Sequence, residues 1–159
     1  MIRICEQSFD PGTELSAFEK RAQGSGAVVS FLGKVRETSG GETVRSLHLE
    51  HYPGVTEKSV QAIEEEARRR WALDDVLMIH RVGDLAAGAP IVFVCVASAH
   101  RRDAFEAADF LMDYLKTEAL FWKKERHSGG EAWIEPRERD YTDVARWRTG
   151  GPKNGQGDR

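Results

Sequence analysis

Apolar and polar positions recur with two periods along this chain, and the switch between them marks its elements. Residues 91–96 form an unbroken, β-branched apolar run of strand length, and over residues 98–102 the period changes from two to about 3.6. A strand leading into a helix is predicted. Ala104, Ala107, Leu111 and Leu115 share one stripe of that helix, Phe105, Ala108 and Met112 lie beside it, and Asp109 and Asp113 point elsewhere. Upstream, residues 2–9 read as a first strand, 14–22 as a short amphipathic helix, and 26–32 as a β-rich run bounded by glycines. Residues 44–52 alternate as a half-buried strand does, with Leu47 and Leu49 on one face and Ser46, His48 and Glu50 on the other, until Pro53-Gly54 ends it. From Thr56 onward, Val60, Ile63, Ala67 and Trp71 recur at helical spacing, and Glu64, Glu65 and Glu66 lie within pairing distance of Arg68, Arg69 and Arg70. Residues 75–82 form another strand, joined through DLAAGAP to the one at Ile91 as a β-hairpin. The chain closes with a loop at 127–130, a short strand at 132–135 and a last helical turn at 142–147.

Strands and helices thus mix without strict βαβ alternation, and one antiparallel hairpin is expected, so the class is α+β rather than a doubly wound parallel sheet. Residues 1–148 make a single domain, and the tail 149–159, TGGPKNGQGDR, has no apolar residue to bury and should be disordered. Composition agrees: 159 residues, 40% hydrophobic and 31% charged, suffice for one core. A net charge of -3 and a pI near 6.0 argue against general binding to nucleic acid or anionic membranes, so any anion site must be local. Cys5 and Cys95 lack the spacing of a zinc site or redox dithiol, and Cys95 falls in an apolar strand. The N-terminal residues are unlike a signal peptide and no apolar run reaches spanning length, so a cytoplasmic protein is expected.

Against an acidic background, clustered cations stand out. His100 and Arg101 sit where the strand hands over to the helix, a junction whose free N–H groups and dipole already attract anions. Lys116 lies at the far end of that helix, where it either complements the helix C-terminus or belongs to a site. In FWKKE, Lys123 and Glu125 would share one face of an extended backbone and Lys124 the other. Residues 34–43 read as a mobile, glycine-rich loop with Arg36 near its base, a residue that alone would be simply solvated. His80 and Arg81 point to opposite faces of a strand, which favours a structural or interface role. The histidines show no metal-ligand spacing, and no Ser-His-Asp pattern, Walker loop or dinucleotide fingerprint is present, so lysines remain the candidates for nucleophilic or proton-transfer chemistry. Crowded cations lower a lysine's pKa, so one of them could act as a neutral amine.

SAHRRDAFEAADFLMDYLKTEALFWKKE, GAVVSFLGKVRE and LEHYPGVTEKSV, in their order along the chain, resemble the large, catalytic subunit of molybdopterin synthase, the MoaE family. One departure is Leu120, where the family usually has proline. The resemblance implies an α/β hammerhead-like fold with an additional antiparallel sheet subdomain. It implies a sulfurtransferase that converts cyclic pyranopterin monophosphate to molybdopterin with sulfur from the C-terminal Gly-Gly thiocarboxylate of a small ubiquitin-like carrier. No cofactor or metal is implied, and no catalytic cysteine, because the sulfur arrives ready-made. The family's large subunit dimerises and docks a small subunit at each end, a heterotetramer. Carried over by motif, Lys116 lies at the thiocarboxylate and Lys123 serves acid–base steps or substrate binding. Arg36, His100 and Arg101 bind phosphate or polar edges, Lys34 and Val35 line the same loop, and Lys124 and Glu125 support. The rival is a non-catalytic module that binds a ubiquitin-like protein or a phosphorylated metabolite with the same cations; RNA binding is opposed by the acidic balance.

Overall fold

The computed structural model describes residues 1–119 and 121–148. Its first sheet holds β1 (Ile2–Cys5), β5 (Leu73–Arg81), β7 (Pro90–Ser98) and β2 (Ala27–Lys34) side by side in that order. β1 runs parallel to β5, and the other pairs are antiparallel. The central strands β5 and β7 are covered on both faces, which is why they read as near-continuous apolar runs. Leu77, Ile79, Phe93, Cys95 and Ala97 pack on Phe18 and Ala22, at and just beyond helix α1 (Pro11–Arg21). The opposite parity, Val76, Met78, Val92, Val94 and Val96, joins the larger core, which α2 (Val55–Arg70) and α3 (Arg101–Thr117) help to form.

The second sheet runs β3 (Thr38–Ser39), β4 (Glu42–His51), β8 (Phe121–His127), β9 (Gly130–Ile134), with β6 (Gly83–Ala86) along the other edge of β4. α4 (Glu138–Ala145) follows. Among the described residues, four helices and two sheets give the α+β, hammerhead-like class with its added antiparallel sheet. The expected pairing of β5 with β7 is present. Their connection is longer than a tight turn, however: β6 leaves the first sheet, pairs with β4 from Ser46↔Ala86 to Leu49↔Gly83, and so ties the two sheets together.

Three local expectations are corrected. Residues 34–43 are not an open loop. Lys34 ends β2, Val35 is buried, its N–H donates to the Ala89 carbonyl at 2.9 Å, and Gly40 and Gly41 turn the chain between β3 and β4. Both glycines have positive φ, 59° and 84°, the left-handed pair that a two-residue hairpin turn requires. Asp113 does not point away: it is buried, and its Oδ2 accepts from Arg146 Nη2 at 2.7 Å and Trp147 Nε1 at 2.7 Å, which fastens the residues just after α4 to α3. Phe105, read as flanking the buried stripe, is 61% exposed. The predicted tail and Leu120 lie outside the described residues. Among those described, no helix is long and apolar enough to cross a membrane.

Candidate active site

A cavity of about 420 Å³ opens where the end of β2, the last turn of α3, the inner face of β8 and the approach to α4 converge. Strand alternation sorts FWKKE as its period requires. Phe121, Lys123 and Glu125 line the cavity. Lys124 faces away, with Nζ 2.5 Å from Glu131 Oε2 and 5.6 Å from the Trp133 ring centroid. Lys34, Val35 and Arg36 line the cavity from the end of β2, and Lys116 lines it from α3. Six of the nine residues singled out in the sequence therefore meet at one place.

His100 and Arg101 do not join them. They are exposed at the N-terminal end of α3, and at 1.5 Å rise per residue Arg101 stands roughly 22 Å along the axis from Lys116. His100 is the N-cap of the helix without making a side-chain cap.

Several lining residues are ones that the sequence did not assign to the site. Asp140, in the first turn of α4, places Oδ1 3.5 Å from Lys116 Nζ, while its Oδ2 accepts the Arg137 backbone N–H at 2.8 Å. Arg137 and Glu135 line the cavity beside it. The signal was present in ERDY, acidic residues opening a helix after Pro136, but the apolar periodicity of so short a helix is weak. His80 is the other. It shares the parity of Val76 and Met78, so it faces inward, and its ring stacks on Phe121 at 3.9 Å between centroids and 16° between planes. Arg81 takes the opposite face and donates to the Glu6 carbonyl at 3.0 Å, the structural role expected of it.

Burial and like charge set the electrostatics. The Lys123 ammonium is held below the ordinary lysine range, first by its burial and then by Lys116 and Arg36, with Asp140 opposing. His80 Nδ1 lies 2.8 Å from the Arg81 carbonyl, which can only accept, so Nδ1 carries a hydrogen. Burial, with Lys123 adding like charge, pushes its pKa down to about 3. The folded protein thus resists protonating a group that titrates near 6.5 when unfolded. Stability from His80 is full above about pH 6.5 and is lost as pH falls toward about 3, by up to about 1.4 kcal/mol per pH unit. Denaturant unfolding of wild type and His80→Gln at pH 7 and pH 4 measures this: the gap between the two should narrow or reverse at pH 4. Cys95 is fully buried and its thiol is pushed up to about 12 by that burial, with Glu14 adding to it, so it is no nucleophile at neutral pH.

Known proteins share this arrangement of sequence and fold. Residues 4–118 match the family described as MoaE protein. The molybdopterin synthase catalytic subunit of Escherichia coli is 52% identical over 146 residues, covering 92% of this chain and 97% of that protein. Among solved structures, a molybdopterin biosynthesis MoaE protein from Burkholderia ambifaria superposes with a TM-score of 0.80 at 45% identity, over 94% of this chain and 99% of that one. Molybdopterin synthase from Staphylococcus aureus gives 0.71 at 28% identity, over 83% and 95%. Similar along nearly its whole length to proteins that share its two-sheet fold, the chain belongs to the MoaE family.

Proposed function

We propose that this chain acts as the catalytic subunit of a molybdopterin synthase, transferring sulfur from the C-terminal thiocarboxylate of a small ubiquitin-like carrier to cyclic pyranopterin monophosphate in the cytoplasm. The observation that carries this reading is the convergence of Lys116, Lys123 and Arg36 on one partly apolar cavity in a protein of net charge -3. Arg36 and Lys34 are donors suited to a phosphate at the mouth. Lys116, cationic beside Asp140, is suited to hold the thiocarboxylate anion. Lys123, whose ammonium is disfavoured, is suited to take up a proton as sulfur is added. Glu125 shares its face of β8 and takes a supporting place, whereas Lys124, on the outer face, has none in the chemistry.

His100 and Arg101 fit this reading in a homodimer. β2 is an edge strand with Val28, Phe31 and Leu32 exposed, whereas the more apolar strands β5 and β7 are central in the sheet and offer no free edge. The start of β2 lies beside the start of α3, since Ala27 pairs with Ser98, and its end opens into the cavity. Two β2 edges paired antiparallel about a two-fold axis would therefore bring the His100 and Arg101 of one copy toward the cavity of the other. With a carrier at each cavity the assembly is a heterotetramer. Mixed dimers of Lys116→Ala and Arg101→Ala protomers should recover activity that neither variant has alone; no recovery would place both residues in one copy's site or Arg101 outside the reaction.

The direct test is to supply thiocarboxylated carrier and cyclic pyranopterin monophosphate to the protein and assay molybdopterin. Formation of product supports the reading, and carrier binding without turnover favours a binding module.

A further inference from the structure

Lys116 and Lys123 line one cavity, Lys116 at its exposed side with 44% of its side chain accessible and Lys123 deeper in, and only Lys116 has a carboxylate partner among the described residues, Asp140 at 3.5 Å. That carboxylate is itself fixed: its second oxygen caps α4 by accepting the Arg137 N–H at 2.8 Å, and its side chain is only 17% exposed. We propose that Asp140 is a positioning residue that divides the two lysines between two roles, anchoring Lys116 as the cavity's fixed cation and leaving Lys123 as the amine without a carboxylate of its own. This rests on the catalytic reading for its meaning, but not for its test.

The titratable groups that line the cavity with Lys123 come from every element around it: Lys116 from α3, Arg36 from beyond β2, His80 from β5, Glu125 from its own strand, and Asp140 from α4. Lys34, Glu135 and Arg137 complete the charged lining. Lys116 and Arg36 push the Lys123 proton off and Asp140 holds it on, less effectively than burial opposes it. Removing only the Asp140 charge should therefore make Lys123 still easier to deprotonate while freeing Lys116 from its anchor.

Asp140→Asn does this with little steric change, because an amide oxygen can still accept the Arg137 N–H. Asp140→Gln, whose side chain is a natural capping partner at this helix position, is the second variant should the first be unstable. Competitive acetylation of the intact protein at fixed pH, read by peptide mass spectrometry with Lys124 as internal reference, reports both lysines without requiring turnover. In the variant, labelling of Lys123 relative to Lys124 should rise roughly threefold or more. The acid limb of kcat/KM should move to lower pH, and kcat should fall about tenfold or more with KM for the pterin substrate changed less. A mere helix cap would move neither the labelling ratio nor the pH limb, and that pair of null results overturns the inference even if product is formed. A shifted ratio in a protein that makes no product would instead sustain the inference and sink the catalytic reading.

Discussion

Lys123→Ala should reduce molybdopterin formation by about 100-fold or more while the fold and carrier binding survive, the scale expected when a proton-transfer group is removed. Lys123→Arg should rescue little, because guanidinium remains protonated at neutral pH and cannot take up a proton. Lys116→Ala should give a comparable loss. If Lys116 served only the C-terminus of α3, its removal would cost no more than about 1 kcal/mol of stability and leave sulfur transfer nearly intact. Lys124→Ala is the internal control: one residue away in sequence but on the outer face of β8, paired with Glu131, it should retain most activity. Product assays on these four variants, with melting temperatures beside them, decide between catalysis and binding. Near-normal turnover in both Lys116→Ala and Lys123→Ala, or full rescue by Lys123→Arg, would favour the binding module.

A second large effect should come from a residue far less conspicuous in the sequence. Asp113 is buried on α3 and accepts from both Arg146 and Trp147, while Trp147 also meets Phe110 and Trp71 edge-on. Asp113→Ala deletes the shared acceptor and leaves the indole N–H without this partner, a loss of about 2–4 kcal/mol by the scale of charged and buried hydrogen bonds, tempered by the exposure of Arg146. Because α4 carries Asp140 and leads from Arg137, activity should fall with the docking of that helix. Asp113→Asn, which keeps an acceptor but not the charge, should lose less of both. Hydrogen exchange across residues 138–147 separates local undocking from global unfolding: unchanged protection there in Asp113→Ala would refute the fastening role.

The parts of the molecule legible in the sequence were those whose periodicity is imposed by burial. β5 and β7 read clearly because both faces of these central strands are covered, and α2 because its stripe Val60, Ile63, Ala67 faces one core. The outward turn of Lys124 followed from strand parity alone. Features set by partners distant in sequence were less visible. Nothing near Asp113 announces Arg146 and Trp147, so an acidic residue on an otherwise amphipathic helix reads as solvated. Gly40 and Gly41 read as flexibility, although paired left-handed glycines equally make the tightest hairpin turn. His80 sat in view as part of a strand, but only the crossing of β8 over that strand, through Phe121, made it part of the cavity.

The pairing of β4 with β8 has a consequence for how the molecule assembles. Leu49 lies opposite Lys123, and His51 opposite Phe121, so the strand that carries Phe121, Lys123 and Glu125 into the cavity is seated only by closing a long stretch of chain. Such nonlocal ladders form late, after local helices and hairpins, because the entropy of closure must be met before any contact rewards it. During synthesis the first sheet can assemble once β7 has emerged, while Lys116, Lys123 and Asp140 all follow it. Carrier and pterin would thus meet no competent surface on a nascent or partly refolded chain, and recovery of activity on refolding should lag behind recovery of helical signal.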